Sequence, residues 1–147
     1  MTLLTLLMPP LMASAIPERA ETPANRVSDL LISEIMYHPA GDVLESKEFI
    51  EIYNTADFAL DLSGFKLTGT VDYTFPANTT LSGRSYLVIA KNPTALGTAG
   101  ALGPYSGSLN NDGGKFDLRS KHNIVHCEAA YSDNHPWPKA ADGMGHS

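Results

Sequence analysis

Lys47 to Leu67 decides the reading of this chain. It opens with Glu48-Phe49-Ile50-Glu51-Ile52-Tyr53-Asn54 and closes with Asp61-Leu62-Ser63-Gly64-Phe65-Lys66-Leu67. The first block alternates at period two: Ile50 and Ile52 share one face, and Phe49, Glu51 and Tyr53 share the other. The second block is a tight turn that leads into another strand. Two short strands joined this way are the start of a small β-sandwich.

The same pattern extends outward in both directions. Leu30 to His38 is a strand, with Leu31, Ser33, Ile35 and Tyr37 on one face and Ile32, Glu34, Met36 and His38 on the other. Pro39-Ala40-Gly41 ends it. Phe65 to Thr68 and Val71 to Phe75 follow the quoted stretch, the latter with Val71, Tyr73 and Phe75 aligned. Tyr86 to Lys91 is apolar nearly throughout, which predicts a central strand buried on both faces. Asn92 to Gly114 holds six glycines, two prolines and three asparagines, so it reads as a long loop with one helical turn at Pro93 to Leu96. Lys115 to Arg119 turns Phe116 and Leu118 inward. Asn123 to Ser132 puts Val125, Cys127, Ala129 and Tyr131 on one face. About seven short strands with regular turn signals predict an all-β, immunoglobulin-like sandwich; a small closed barrel is the alternative.

Size and charge narrow the function classes. With 147 residues and 43% hydrophobic content, one domain with one core is expected. The formal net charge is -6, and the ten basic residues are scattered. That balance argues against nucleic-acid binding, which needs a basic footprint. A single cysteine, Cys127, allows no intrachain disulfide. Thr2 to Ala15 is apolar and uncharged, ends in Ala13-Ser14-Ala15, and is interrupted by Pro9 and Pro10. It reads as a signal segment over residues 1–15, too short for a membrane span, although no Lys or Arg precedes it. Residues 16–28 read as a linker, and residues 29–147 as the sandwich domain. A secreted or cell-surface location follows from this expectation.

Several short motifs in order resemble the lamin tail domain family in its bacterial form. They are Leu31-Ile32-Ser33-Glu34-Ile35-Met36-Tyr37-His38-Pro39, Glu48 to Asn54, Asp61-Leu62-Ser63-Gly64-Phe65, Tyr73-Thr74-Phe75-Pro76, Tyr86 to Lys91, and the closing Trp137-Pro138 with Ala141-Asp142-Gly143. The resemblance runs from about residue 30 to the C-terminus. It implies an immunoglobulin-like sandwich in secreted or surface proteins, without catalytic residues of its own. It implies function only by analogy. Family members continue past the Asp-Gly-x-Gly segment into a last strand, whereas this chain stops at Gly145-His146-Ser147. The expectation is that the final strand is missing and that an open sheet edge invites association.

Little in the sequence asks for an enzyme. Glu34, Glu51 and Asp72 are the candidate ligands for Ca²⁺, which takes six to eight oxygens. No linear calcium-loop spacing supports them, so no cofactor is expected, and the ordinary reading is that they face solvent or bond backbone amides. His122 and His126 are four apart but in or beside a strand, so they cannot converge as zinc ligands one helical turn apart do. Ser106 sits in no nucleophile elbow. Cys127, between Val125 and Ala129, reads as an inert buried thiol. Tyr105 and Trp137 could stack on a sugar or anchor a protein, although Trp137 more simply plugs the sandwich end. Asn110 and Asn111 stand at the tip of the long loop. Asn78-Thr79-Thr80 is a glycosylation sequon on a surface turn. The expected function is a non-catalytic adhesion or interaction module that meets a protein or glycan at the cell surface through Tyr105, Asn110, Asn111 and Trp137. The alternative is an accessory domain of a larger secreted hydrolase, of which the chain is a fragment.

Overall fold

The computed structural model describes residues 28–40 and 47–134. The expected signal segment, nearly all of the linker, Trp137 and the Ala141-Asp142-Gly143 motif lie outside the described residues. The described chain forms an immunoglobulin-like β-sandwich. Its strands are β1 (Leu30–Met36), β2 (Phe49–Asn54), β3 (Leu60–Asp61), β4 (Lys66–Gly69), β5 (Val71–Thr74), β6 (Thr80–Leu81), β7 (Tyr86–Ala90), β8 (Ser106–Gly107), β9 (Gly113–Arg119) and β10 (Val125–Ser132). One short helix, α1 (Pro93–Leu96), follows β7. Seven of these strands are four residues or longer and coincide with the seven expected ones.

One sheet has the order β1-β2-β7, the other the order β10-β9-β4-β5-β8, and β3 pairs with β6. All the strand pairings are antiparallel. The sheets share one core. Ile50, Ile52 and Ile89 from the first meet Leu67, Phe116 and Leu118 from the second, each at most 1% exposed. The Tyr37 and Tyr131 rings meet at 5.0 Å. These are the faces that period-two alternation predicts for β2, β5 and β9.

Three expectations need correction. The first concerns β1. A bulge lies between Ile32 and Glu34, so Ile32 pairs with Ile52 while Glu34 pairs with Glu51. The extra residue, Ser33, re-phases the strand. Leu30 and Ile32 therefore face the core before the bulge, Ile35 and Tyr37 face it after the bulge, and Leu31 is 39% exposed. A second bulge, between Val125 and Cys127, likewise leaves Val125 outside while Cys127 and Ala129 pack against the core.

The third correction is that β7 is an edge strand of its sheet, not a central one. Its apolar sequence is explained by cover from the long loop. The Leu102 amide donates to Val88 O, the Ala90 amide donates to Leu102 O, and the Tyr105 amide donates to Ala90 O. Leu102 thus bridges Ile89 in parallel fashion along the edge. Gly103 permits this approach: its φ is +133°, and a Cβ there would run into the Ala90 carbonyl. The helical turn at Pro93–Leu96 forms as expected, capped by the Asn92 side chain, which accepts from the Ala95 amide at 3.1 Å.

Candidate interaction surface

The three carboxylates considered for Ca²⁺ divide between the sheets. Glu34 and Glu51 are register partners in the three-stranded sheet. Asp72 is exposed on β5 of the five-stranded sheet, opposite Ser106. The sheet topology separates residues whose placement in the sequence left them free to converge. Among the described residues, no group of three or more His, Cys, Asp or Glu side chains comes together to hold a metal ion.

Tyr105 is not a surface residue. It is 3% exposed, and its hydroxyl donates to the Glu48 carboxylate at 2.9 Å. Glu48 is itself 2% exposed and also accepts from the Leu109 amide at 3.0 Å and the Ser108 hydroxyl at 3.4 Å. A buried carboxylate is tolerable only with such donors. Here it fastens the 105–109 segment onto the start of β2. Asn110 and Asn111 lie just beyond, exposed in a turn that the Gly113 amide closes by donating to Asn110 O. Loop composition suggested exposure for Tyr105. The partner that buries it lies 57 residues away.

Asn54, fully buried, organises the opposite end of β2. Its amide nitrogen donates to the carbonyls of Phe58, Leu81 and Ser82 at 2.9–3.1 Å, and its oxygen accepts from the Ala56 amide at 3.0 Å. Cys127 is partly buried, and that burial pushes its thiol up to about 11, the direction of an unreactive thiol. Burial, followed by the charges of Glu48 and Asp112, also raises Tyr131.

The two outer faces of the sandwich differ in chemistry. On the five-stranded sheet, Asp117 accepts from Arg119 Nε at 2.6 Å, Arg119 Nη2 at 2.8 Å and the Thr68 hydroxyl at 2.7 Å. The Arg119 bond holds the Asp117 carboxyl below its usual range, against the opposing effect of burial. Lys115 lies 3.6 Å from Glu128 on the neighbouring strand. This face carries ion pairs, with Val125 exposed at its β10 strand.

The three-stranded sheet carries two apolar rows on its outer face, with an acidic row between them. Leu31, Tyr53 and Tyr86 stand side by side across β1, β2 and β7. Tyr86 is 60% exposed, and its ring lies 4.5 Å from that of Tyr53 at a tilt of 32°. The next row holds Glu34, Glu51 and Val88, and the one after it Met36 and Phe49. The Ser33 hydroxyl donates to Glu51 Oε1 at 2.8 Å. The sequence already placed Tyr53 on the face opposite Ile50 and Ile52. It concealed Tyr86, which an apolar strand context reads as core, and Leu31, which the bulge turns outward.

The family model described as Lamin Tail Domain matches residues 23–133. Among curated proteins none matches the chain.

Proposed function

This chain belongs to the lamin tail domain family, and on that premise we propose that it is a non-catalytic interaction module of a secreted or cell-surface protein, binding a protein or glycan partner. The contrast between its two outer faces carries this reading. One face is laced with ion pairs. The other sets exposed Leu31 and Tyr86 on either side of a half-buried Tyr53 in a continuous cross-strand row. Exposed apolar rows with a polar surround mark contact surfaces in folded domains. Aromatic side chains are the groups that anchor such contacts. The apolar Thr2–Ala15 segment supports an extracytoplasmic location.

Two measurements test the reading. Fluorescently labelled full chain, added to intact cells of its own source, is expected to bind saturably. An absence of saturable binding removes the surface-module reading. In fractionated cultures the chain is expected in the medium or in a protease-accessible surface fraction. Confinement to the cell interior removes the proposed location.

A further inference from the structure

We infer that the outer face of the three-stranded sheet binds a protein segment presenting an Arg or Lys between apolar side chains. The inference rests on the interaction-module reading and names the surface and the partner chemistry. The face is built in layers. The Leu31–Tyr53–Tyr86 row lies on one side and the Met36–Phe49 row on the other, with Glu34 opposite Glu51 between them. Alternate residues of a strand are about 6.6 Å apart, so the acidic row lies one side-chain step from each apolar row. A guanidinium or ammonium set at the acidic row pairs with the Glu51 carboxylate, while its neighbours contact the apolar rows. The Ser33 hydroxyl holds the Glu51 carboxylate in place. The methylenes of an Arg or Lys stem running from the acidic row also pack beside the Tyr53 ring.

The geometry disfavours two other occupants. A glycan platform needs ring faces turned outward together. Tyr53 and Tyr86 instead pack against each other at 4.5 Å and 32°. A two-fold pairing of this face with a second copy sets the same patch against itself. It would bring one Glu34–Glu51 row against another in a chain of net charge -6.

The test is selection of a random dodecapeptide phage library on the immobilised full chain, with binding of enriched peptides then measured in solution. Enriched peptides are expected to carry Arg or Lys flanked by aliphatic or aromatic residues. Glu51→Lys and Tyr86→Ser are each expected to weaken them by about tenfold or more. Both positions are on the outer face, so the variants should still unfold in one cooperative step, with a midpoint lowered only by the lost Tyr53–Tyr86 contact or Ser33 bond, and show that folding is intact. Acidic consensus peptides, or no enrichment at all, would overturn the inference. So would peptides that bind both variants as well as the parent, competition by cello- or chito-oligosaccharides alone, or a dimer that Tyr86→Ser dissolves. The cell-binding assay separates this inference from its premise. If the parent and both variants bind cells equally, the module stands and this face is wrong. If the parent does not bind cells, the premise fails.

Discussion

The Tyr105 hydroxyl reaches the Glu48 carboxylate at 2.9 Å, joining the long glycine-rich loop to the start of β2 inside the core. Removing that donor leaves a buried carboxylate with fewer partners. Tyr105→Phe is expected to cost about 1–3 kcal/mol. Glu48→Gln keeps the shape but loses the charge-assisted bonds. In urea unfolding, the double variant should lose less than the sum of the singles, because the two groups share one interaction. Strict additivity would show that the bond contributes nothing.

Asn54 satisfies its whole amide with backbone groups, and no water-facing alternative is open to it. Asn54→Ala strands buried carbonyls at the β6 end and is expected to cost about 3 kcal/mol or more in thermal unfolding. Asn54→Asp should be worse at neutral pH, since it sets a carboxylate against three carbonyl oxygens. It should recover in part on acidification.

Acid should weaken the fold partly through Asp117. Its carboxyl is lowered from the ordinary 3.8 by Arg119, and by the Thr68 hydroxyl in addition. A folded-state pKa below the unfolded one gives stability that is complete above 3.8 and lost as pH falls through the lowered value. Asp61, lowered by Ser63, acts with the same sign. Asp117→Asn should therefore flatten the acid limb of the stability profile in urea titrations. An unchanged limb would place the acid sensitivity elsewhere.

Cys127 is pushed up to about 11 by burial, against a reference of 9.0. Its thiolate fraction at pH 8 is then about a hundredfold below that of an exposed thiol. Iodoacetamide should label the native chain slowly and the urea-unfolded chain at the ordinary rate. Fast labelling of the native chain would mean that β10 opens readily.

The course of the strands was legible because period two is local. Ile50 and Ile52, Phe116 and Leu118, and Val71 and Phe75 occupy the core as their alternation requires. What stayed hidden depends on distance or on phase. Nothing near Tyr105 announces Glu48. Nothing in Tyr86 to Lys91 distinguishes a central strand from an edge covered by Leu102. The candidate surface was half visible: Tyr53 stood on the correct face, but its neighbours Leu31 and Tyr86 join it only through a bulge and an edge. The acidic residues stand out in the sequence, yet only sheet register shows that Glu34 and Glu51 are paired and that Asp72 lies in the other sheet.

The single extra residue in β1 also shapes how this chain can change over generations. The run Leu30 to Ile32 serves the interior through Leu30 and Ile32 and the outer face through Leu31, and Ser33 re-phases the strand so that Ile35 still faces the core. Losing Ser33 would turn Leu31 inward and Leu30 and Ile32 outward in one step. Point substitutions can therefore tune either side of the strand separately, whereas an insertion or deletion here alters the outer surface and the core together. Length at this position should be far less tolerant of variation than side-chain identity.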